Sequence, residues 1–202
     1  MTIKRFTLGA VQSNCYILHI NNKALVIDPG YESDLVLNYL TNHSLDVEII
    51  YITHGHFDHI GGVNQLKTIY PNASVYAPLL DAELMDKDYG IQTIEKVMVD
   101  FYIKEADFQV LPFSQKPFRV LYVPGHSKGS TALYAQGILF SGDTLFRGSI
   151  GRTDLYLGNF DELIHSIKTS FYTLPEDTIV YPGHGFQTTI NQEKKYNPFV
   201  RG

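Results

Sequence analysis

Residues 53–62 read Thr53-His54-Gly55-His56-Phe57-Asp58-His59-Ile60-Gly61-Gly62, directly after the apolar run Glu48-Ile49-Ile50-Tyr51-Ile52. Four possible metal ligands therefore fall within six residues at the end of an apolar stretch. If Glu48 to Thr53 is a buried strand, the chain leaves the sheet at His54, where Gly55 lets the backbone turn. In an extended segment side chains two apart point the same way, so His54 and His56 can reach one ion. Asp58 and His59 sit one turn further on and suit a second. The mixture of imidazole and carboxylate matches borderline divalent metals. The spacing differs from that of the HExxH zinc helix, whose histidines are four apart on one helical face.

Outward from this stretch, the 202 residues are 44% hydrophobic and 18% charged, enough for one sizeable globular domain over 1–202. The net charge of −5, with no Lys/Arg block, argues against a nucleic-acid partner. No run approaches the roughly 18 apolar residues of a membrane span, and the amino-terminal residues lack a secretory pattern, so no membrane partner is expected and a cytoplasmic location is. Cys15 is the only cysteine and reads as a small buried strand residue.

The chain opens with three short strands, Ile3 to Leu8, Asn14 to Ile20 and Lys23 to Ile27, the last two joined by a tight turn at Asn21-Asn22. Asp28-Pro29-Gly30 reads as a turn, and Asp28 as a turn residue. Ser33 or Asp34 caps a helix with Leu35, Val36, Tyr39 and Leu40 on its apolar face. A second helix, Val63 to Tyr70, presents Val63, Leu66 and Ile69/Tyr70. A strand Ser74 to Ala77 and a short helix from Pro78 follow, and from there strand and helix are expected to alternate. Residues 85–109 show no period and read as a helix-bearing insert near the site. Phe118 to Val123 is a strand, Thr131 to Ala135 and Ile138 to Phe140 form a hairpin, Phe160 to Phe171 is a helix, and Thr178 to Tyr181 is the last strand.

One regularity links these elements. His54, His126, Asp143 and His184 each follow a short apolar run and adjoin glycine or lie beside it, in THGH, PGHS, SGDT and PGHG. Four strand ends are thus expected to converge on one edge, where ligands are held rigidly yet open to solvent. His19, His43 and His165 lie within elements without such context and are assigned no metal role.

In this order and at these separations, THGHFDH, PGHS, SGDTLF and PGHG resemble the metallo-β-lactamase-fold hydrolases. The resemblance spans nearly the whole chain. It implies an α/β (α+β) fold, an αββα four-layer sandwich with a metal site at one edge. Within that superfamily, GDTLFRGSIGRTDL and YPGHGFQTTINQEKKYNPF look most like the short glyoxalase II-like proteins, which lack the additional C-terminal helical domain of longer relatives. The resemblance implies that His54, His56 and His126 bind one metal, that Asp58, His59 and His184 bind another, and that Asp143 bridges them. It implies two divalent ions, zinc first, with iron or manganese as alternatives, and a small-molecule acyl-thiol substrate such as S-lactoylglutathione. A hydroxide held between two such ions is the expected nucleophile, with Asp58 orienting it and taking its proton. A thiolate leaves without strong acid catalysis, because thiols have a pKa near 8.5. Arg152 matches a basic residue that holds a glutathione carboxylate in the longer enzymes, though Asp154, two residues on, can pair with it. Lys128 and Arg147 read as exposed surface cations.

Three rival functions are weighed against this one. Persulfide dioxygenases share the GRTD stretch but use a single iron and usually depart from PGHG at the last histidine. The common zinc β-lactamases place a cysteine where this chain has Asp143. A non-catalytic metal-binding module would be expected to have lost ligands, and none is missing here.

Overall fold

The computed structural model describes residues 1–86, 96–104, 110–114 and 116–202. The chain starts as an antiparallel meander, β1 (Thr2–Leu8), β2 (Ser13–Ile20) and β3 (Lys23–Ile27). Helix α1 (Asp34–Asn42), capped by Ser33, carries it across to β4 (Asp46–Tyr51), which pairs parallel with β3. A short α2 (Phe57–Ile60) and α3 (Val63–Ile69) lead to β5 (Ser74–Pro78), parallel to β4. A 3-10 turn at Leu79–Asp81 and α4 (Ala82–Met85) follow, and β6 (Phe101–Ile103) completes a sheet in the order β1-β2-β3-β4-β5-β6.

The second half builds another sheet. Strands β7 (Val110–Phe113), β8 (Lys116–Tyr122), β9 (Thr131–Ala135) and β10 (Ile138–Gly142) run antiparallel in sequence. A small ribbon, β11 (Leu145–Phe146) and β12 (Ser149–Ile150), precedes α5 (Phe160–Ser166), which continues as a π-helical turn at Ile167–Phe171. Strand β13 (Ile179–Pro182) pairs parallel with β10, β14 (Thr188–Thr189) pairs antiparallel with β13, and α6 (Ile190–Tyr196) follows.

Alternation along the strands makes the layers. In β2, Tyr16 and Leu18 face Phe113, Phe118, Leu133 and Phe140 of the other sheet, whereas Cys15 and Ile17 face α1 and α3. Strand β4 keeps this rule through a register skip after Val47, which lets Ile49 and Tyr51 point between the sheets. A third apolar cluster joins Leu139 and Val180 to Leu163, Ile167 and Phe171 of the α5 region and Ile190 of α6. The order is helix, sheet, sheet, helix, the expected αββα sandwich. Each fully buried phenylalanine here contributes about 1.5–3 kcal/mol of transfer free energy.

Several sequence expectations need correction. Leu35 is 66% exposed and Ile69 49% exposed, so α1 and α3 bury narrower faces, built on Val36 and Leu40 and on Val63 and Leu66. Strand β4 ends at Tyr51, two residues before the expected Thr53. The expected alternation after Pro78 is instead an antiparallel β run over much of its length. Of the expected insert at 85–109, residues 87–95 and 105–109 lie outside the described residues, and the remainder contains strand β6. Among the described residues no helix is long and apolar enough to cross a membrane.

Candidate metal centre

Parallel pairing explains why chemistry gathers at one edge. Strands β3, β4 and β5 are parallel, so their carboxyl ends deliver Asp28, the 53–59 stretch and Asp81 to the same side. In the other sheet β10 and β13 are parallel, and β8 runs in the same direction through two antiparallel steps, so His126, Asp143 and His184 arrive together. Carboxyl ends of parallel strands are the usual site-bearing edge of α/β sheets. The sheets are fastened to each other there: Asn14 N–H donates to Gly183 O (2.7 Å), Tyr16 Oη–H to Pro182 O (2.6 Å), and Thr131 N–H to Thr53 O (2.8 Å).

The seven expected ligands meet at that edge. Single ligand atoms of His54, His56 and His126 lie within 4.8 Å of one another, as do those of Asp58, His59 and His184, and those of His54, His59 and Asp143. His56 Nδ1 and His126 Nε2 are 2.9 Å apart. Asp143 faces both groups: its Oδ2 is 3.6 Å from His126 Nε2 and 3.3 Å from His184 Nε2, and its Oδ1 is 3.4 Å from His59 Nε2. Asp58 Oδ2 lies 3.2 Å from His184 Nε2 and 3.6 Å from His59 Nε2.

Three buried atoms in this cluster, His54 Nε2, His59 Nε2 and Asp143 Oδ1, have no hydrogen-bond partner among the described residues, an arrangement that costs stability unless something else satisfies them. The surrounding bonds turn these atoms inward. Thr53 Oγ1–H donates to Asp28 Oδ2 (2.7 Å), so the same hydroxyl accepts from His54 Nδ1–H (3.0 Å) and leaves the His54 Nε2 lone pair free. His59 Nδ1–H donates to Asp28 Oδ2 (3.0 Å), with the same result at its Nε2, and His126 Nδ1–H donates to the Arg152 carbonyl (2.8 Å), which turns its Nε2 toward His56 Nδ1 (2.9 Å). A set of converging imidazoles and carboxylates, with His54, His59 and His126 each backed by a second hydrogen bond, fits divalent metal ions.

Without a metal ion the charges sort themselves. Burial pushes His54 well below the ordinary histidine value and His56 down to about 3, with neighbouring imidazoles acting in the same sense. His59 is also opposed by burial, but the carboxylates of Asp143, Asp58 and Asp28 raise it to about 9. His184 rises to about 10, because bonds to Asp143 and Asp58 outweigh its burial. Burial likewise works against the Asp143 and Asp58 carboxylates, yet the histidines hold both below the usual range, Asp143 far below.

The centre floors a cleft of about 550 Å³ whose walls include Val11, Phe57, Phe146, Ile150 and Leu155. Arg152 also lines it, but its guanidinium is engaged with Asp154, Nε to Oδ1 at 2.7 Å and Nη2 to Oδ2 at 2.8 Å. Both partners of this pair are exposed. Lys128 and Arg147 are exposed. His19 and His43 sit around Tyr39, and Cys15 is buried with its thiol pushed up by desolvation.

Two buried carboxylates that hydrogen-bond the cluster or the loops carrying it were not singled out from the sequence. Asp28 is more than a turn residue: besides His59 and the Thr53 hydroxyl it accepts the Thr53 N–H (2.8 Å), and its backbone is left-handed (φ 50°). Its position, an acidic residue following an apolar strand and preceding Pro-Gly, repeats the pattern of the ligands and was the available signal. Asp81 is the other, and nothing local marks it.

Residues 8–184 match the metallo-beta-lactamase superfamily. The chain is 35% identical to a probable metallo-hydrolase, YqgX, of Bacillus subtilis (100% of this chain, 99% of the relative). It is 32% identical to the hydroxyacylglutathione hydrolase GloC of Haemophilus influenzae (99% and 98%). Among solved structures it is similar to the B3 metallo-beta-lactamase BLEG-1 (TM-score 0.90, 35% identity, 100% of both chains). It is also similar to TTHA1623 in a di-iron-bound form (TM-score 0.86, 36% identity, 98% of this chain and 100% of the other). The chain belongs to the metallo-beta-lactamase superfamily, and its class is that of a metallo-hydrolase.

Proposed function

We propose that the chain hydrolyses thioesters of the S-lactoylglutathione type, with His54, His56 and His126 holding one divalent ion, Asp58, His59 and His184 a second, and Asp143 shared between them. The observation that carries this reading is Asp143, whose two carboxylate oxygens face both histidine groups. Ions held there supply Lewis acidity and lower the pKa of water from near 16 toward about 7.

The chain's own residues do the rest. Asp58 sits at the cleft floor as a carboxylate held below its ordinary pKa, so it is a weak base and a strong hydrogen-bond acceptor. Its main contribution is to orient the attacking water, with proton acceptance secondary. The apolar walls exclude competing water around the carbonyl and strengthen every charge interaction at the floor. The departing thiolate needs no strong acid, and the described cleft offers none with a suitable proton beyond the histidines themselves.

Similarity to a protein described as a B3 metallo-beta-lactamase supports a second reading, hydrolysis of a β-lactam amide. One experiment separates these and the oxidative alternative: metal analysis of purified protein with parallel assays on S-lactoylglutathione, a chromogenic cephalosporin, and oxygen uptake with glutathione persulfide. Two metal equivalents and chelator-sensitive thioester cleavage are expected. Oxygen uptake without any hydrolysis overturns the proposal.

A further inference from the structure

We infer that Asp81 is a positioning residue that fixes the spacing between the loop carrying His54 and His56 and the loop carrying His126. Asp81 is 0% exposed and closes the 3-10 turn after β5, close to none of the seven clustered side chains by any hydrogen bond. Its carboxylate instead grips the backbone that presents them. Oδ2 accepts from Gly55 N–H (2.9 Å) and from Ser127 Oγ–H (2.6 Å), and Oδ1 accepts from Gly129 N–H (2.6 Å).

The placement of these donors is what gives Asp81 a role beyond packing. Gly55 lies between His54 and His56, and Ser127 directly follows His126. The first loop leaves β4 of one sheet and the second leaves β8 of the other, so one carboxylate spans the junction between sheets. Ser130 extends the grip, its Oγ accepting from Ser127 N–H (3.1 Å) while standing 2.7 Å from Ser127 Oγ.

Close approach is required on both sides. A Cβ at Gly55 would meet Asp81 O at 2.7 Å and Asp81 Cβ at 2.9 Å, and one at Gly129 would meet Asp81 Oδ1 at 2.7 Å. Both glycines thus serve Asp81 as much as their own turns. The 2.9 Å separation of His56 Nδ1 from His126 Nε2 is set across this same junction. Metal–nitrogen distances are fixed to within about 0.2 Å, so a small opening between the loops loosens the three-histidine group first.

The test reads metal rather than turnover, in the full-length chain. Asp81→Asn keeps the size but turns an amide N–H toward a backbone N–H, and Ser127→Ala removes the hydroxyl's bonds to Asp81 and Ser130 while sparing both amides. Each variant is loaded with Co²⁺, titrated against a competing chelator, and melted with and without chelation. Asp81→Asn should weaken one of two metal equivalents by about 10- to 100-fold and alter the Co²⁺ absorption bands. Ser127→Ala should move affinity and bands the same way by a smaller factor, about threefold or more, with the chelated melting temperature lowered by no more than roughly 10 °C. Wild-type affinity and spectrum for both equivalents in Ser127→Ala overturns the inference, and does so even if Asp81→Asn fails to fold. A lowered melting temperature with unaltered metal binding in both variants makes Asp81 structural only, which also overturns it.

Discussion

Asp28 Oδ2 lies 3.0 Å from His59 Nδ1 and also accepts a hydrogen bond from the Thr53 hydroxyl, so one buried carboxylate sets the orientation of His59 directly and of His54 through Thr53. Replacing it with asparagine leaves the shape but offers a donor where both partners donate. Asp28→Asn should therefore reduce metal affinity by about 10- to 100-fold, the usual effect of losing an orienting partner. Metal content after dialysis against a weak chelator measures this. Full retention of both equivalents would show that the histidines hold their tautomers unaided.

Gly183 is placed so that a Cβ would fall 2.1 Å from Asp143 Oδ1 and 2.8 Å from His59 Cε1. Gly183→Ala should displace the shared carboxylate and lower activity at least about 100-fold, while the buried core, remote from this edge, keeps the chain folded. Activity and circular dichroism measured together check the claim. An active, fully loaded alanine variant would contradict the close packing at Asp143.

Proton balance gives a third expectation. His59 and His184 rise from 6.5 to about 9 and about 10 in the absence of metal, so both are protonated near pH 7.5 and ligation must displace those protons. Calorimetric titration of metal in two buffers of different ionisation enthalpy should report release approaching two protons. The sign for stability follows. These raised values stabilise the chelated protein fully below about pH 6.5, and that contribution is lost as pH rises through about 9 and 10. The chelated protein should lose melting temperature between pH 7 and 10 more steeply than the loaded one. Parallel curves, or metal uptake without proton release, would rule this out.

The charge on Arg152 is occupied by Asp154, yet both side chains are exposed and the pair is readily opened. Asp154→Asn should lower KM for S-lactoylglutathione by a small factor, about two- to fivefold, and leave a thioester of an uncharged thiol unaffected. Equal changes for both substrates would show that Arg152 does not read the thiol's carboxylates.

The metal-site motifs were legible because their spacing has a chemical meaning in one dimension: His54 and His56 two apart, Asp58 and His59 a turn later, glycine beside each strand end. The layer order was legible only through the resemblance of those motifs, because β2 and β3 are buried on both faces and their residues do not alternate. Asp81 was not, because its effect passes through backbone amides of Gly55 and Gly129 that come near only when two sheets close. Leu35 misled because helical periodicity defines a face of fixed width, whereas α1 meets the sheet only along Val36 and Leu40. The Arg152–Asp154 pair was visible as neighbouring opposite charges, but its bidentate geometry belongs to the folded loop.

The sheet edge that gathers the seven side chains draws His54, His56, Asp58 and His59 from the first half of the chain and His126, Asp143 and His184 from the second. During synthesis the ribosome therefore exposes a partial chelate long before Asp143 and His184 emerge. The complete cluster therefore exists only once both halves of the chain have folded against each other, which makes it a property of the docked sheets and of neither sheet alone.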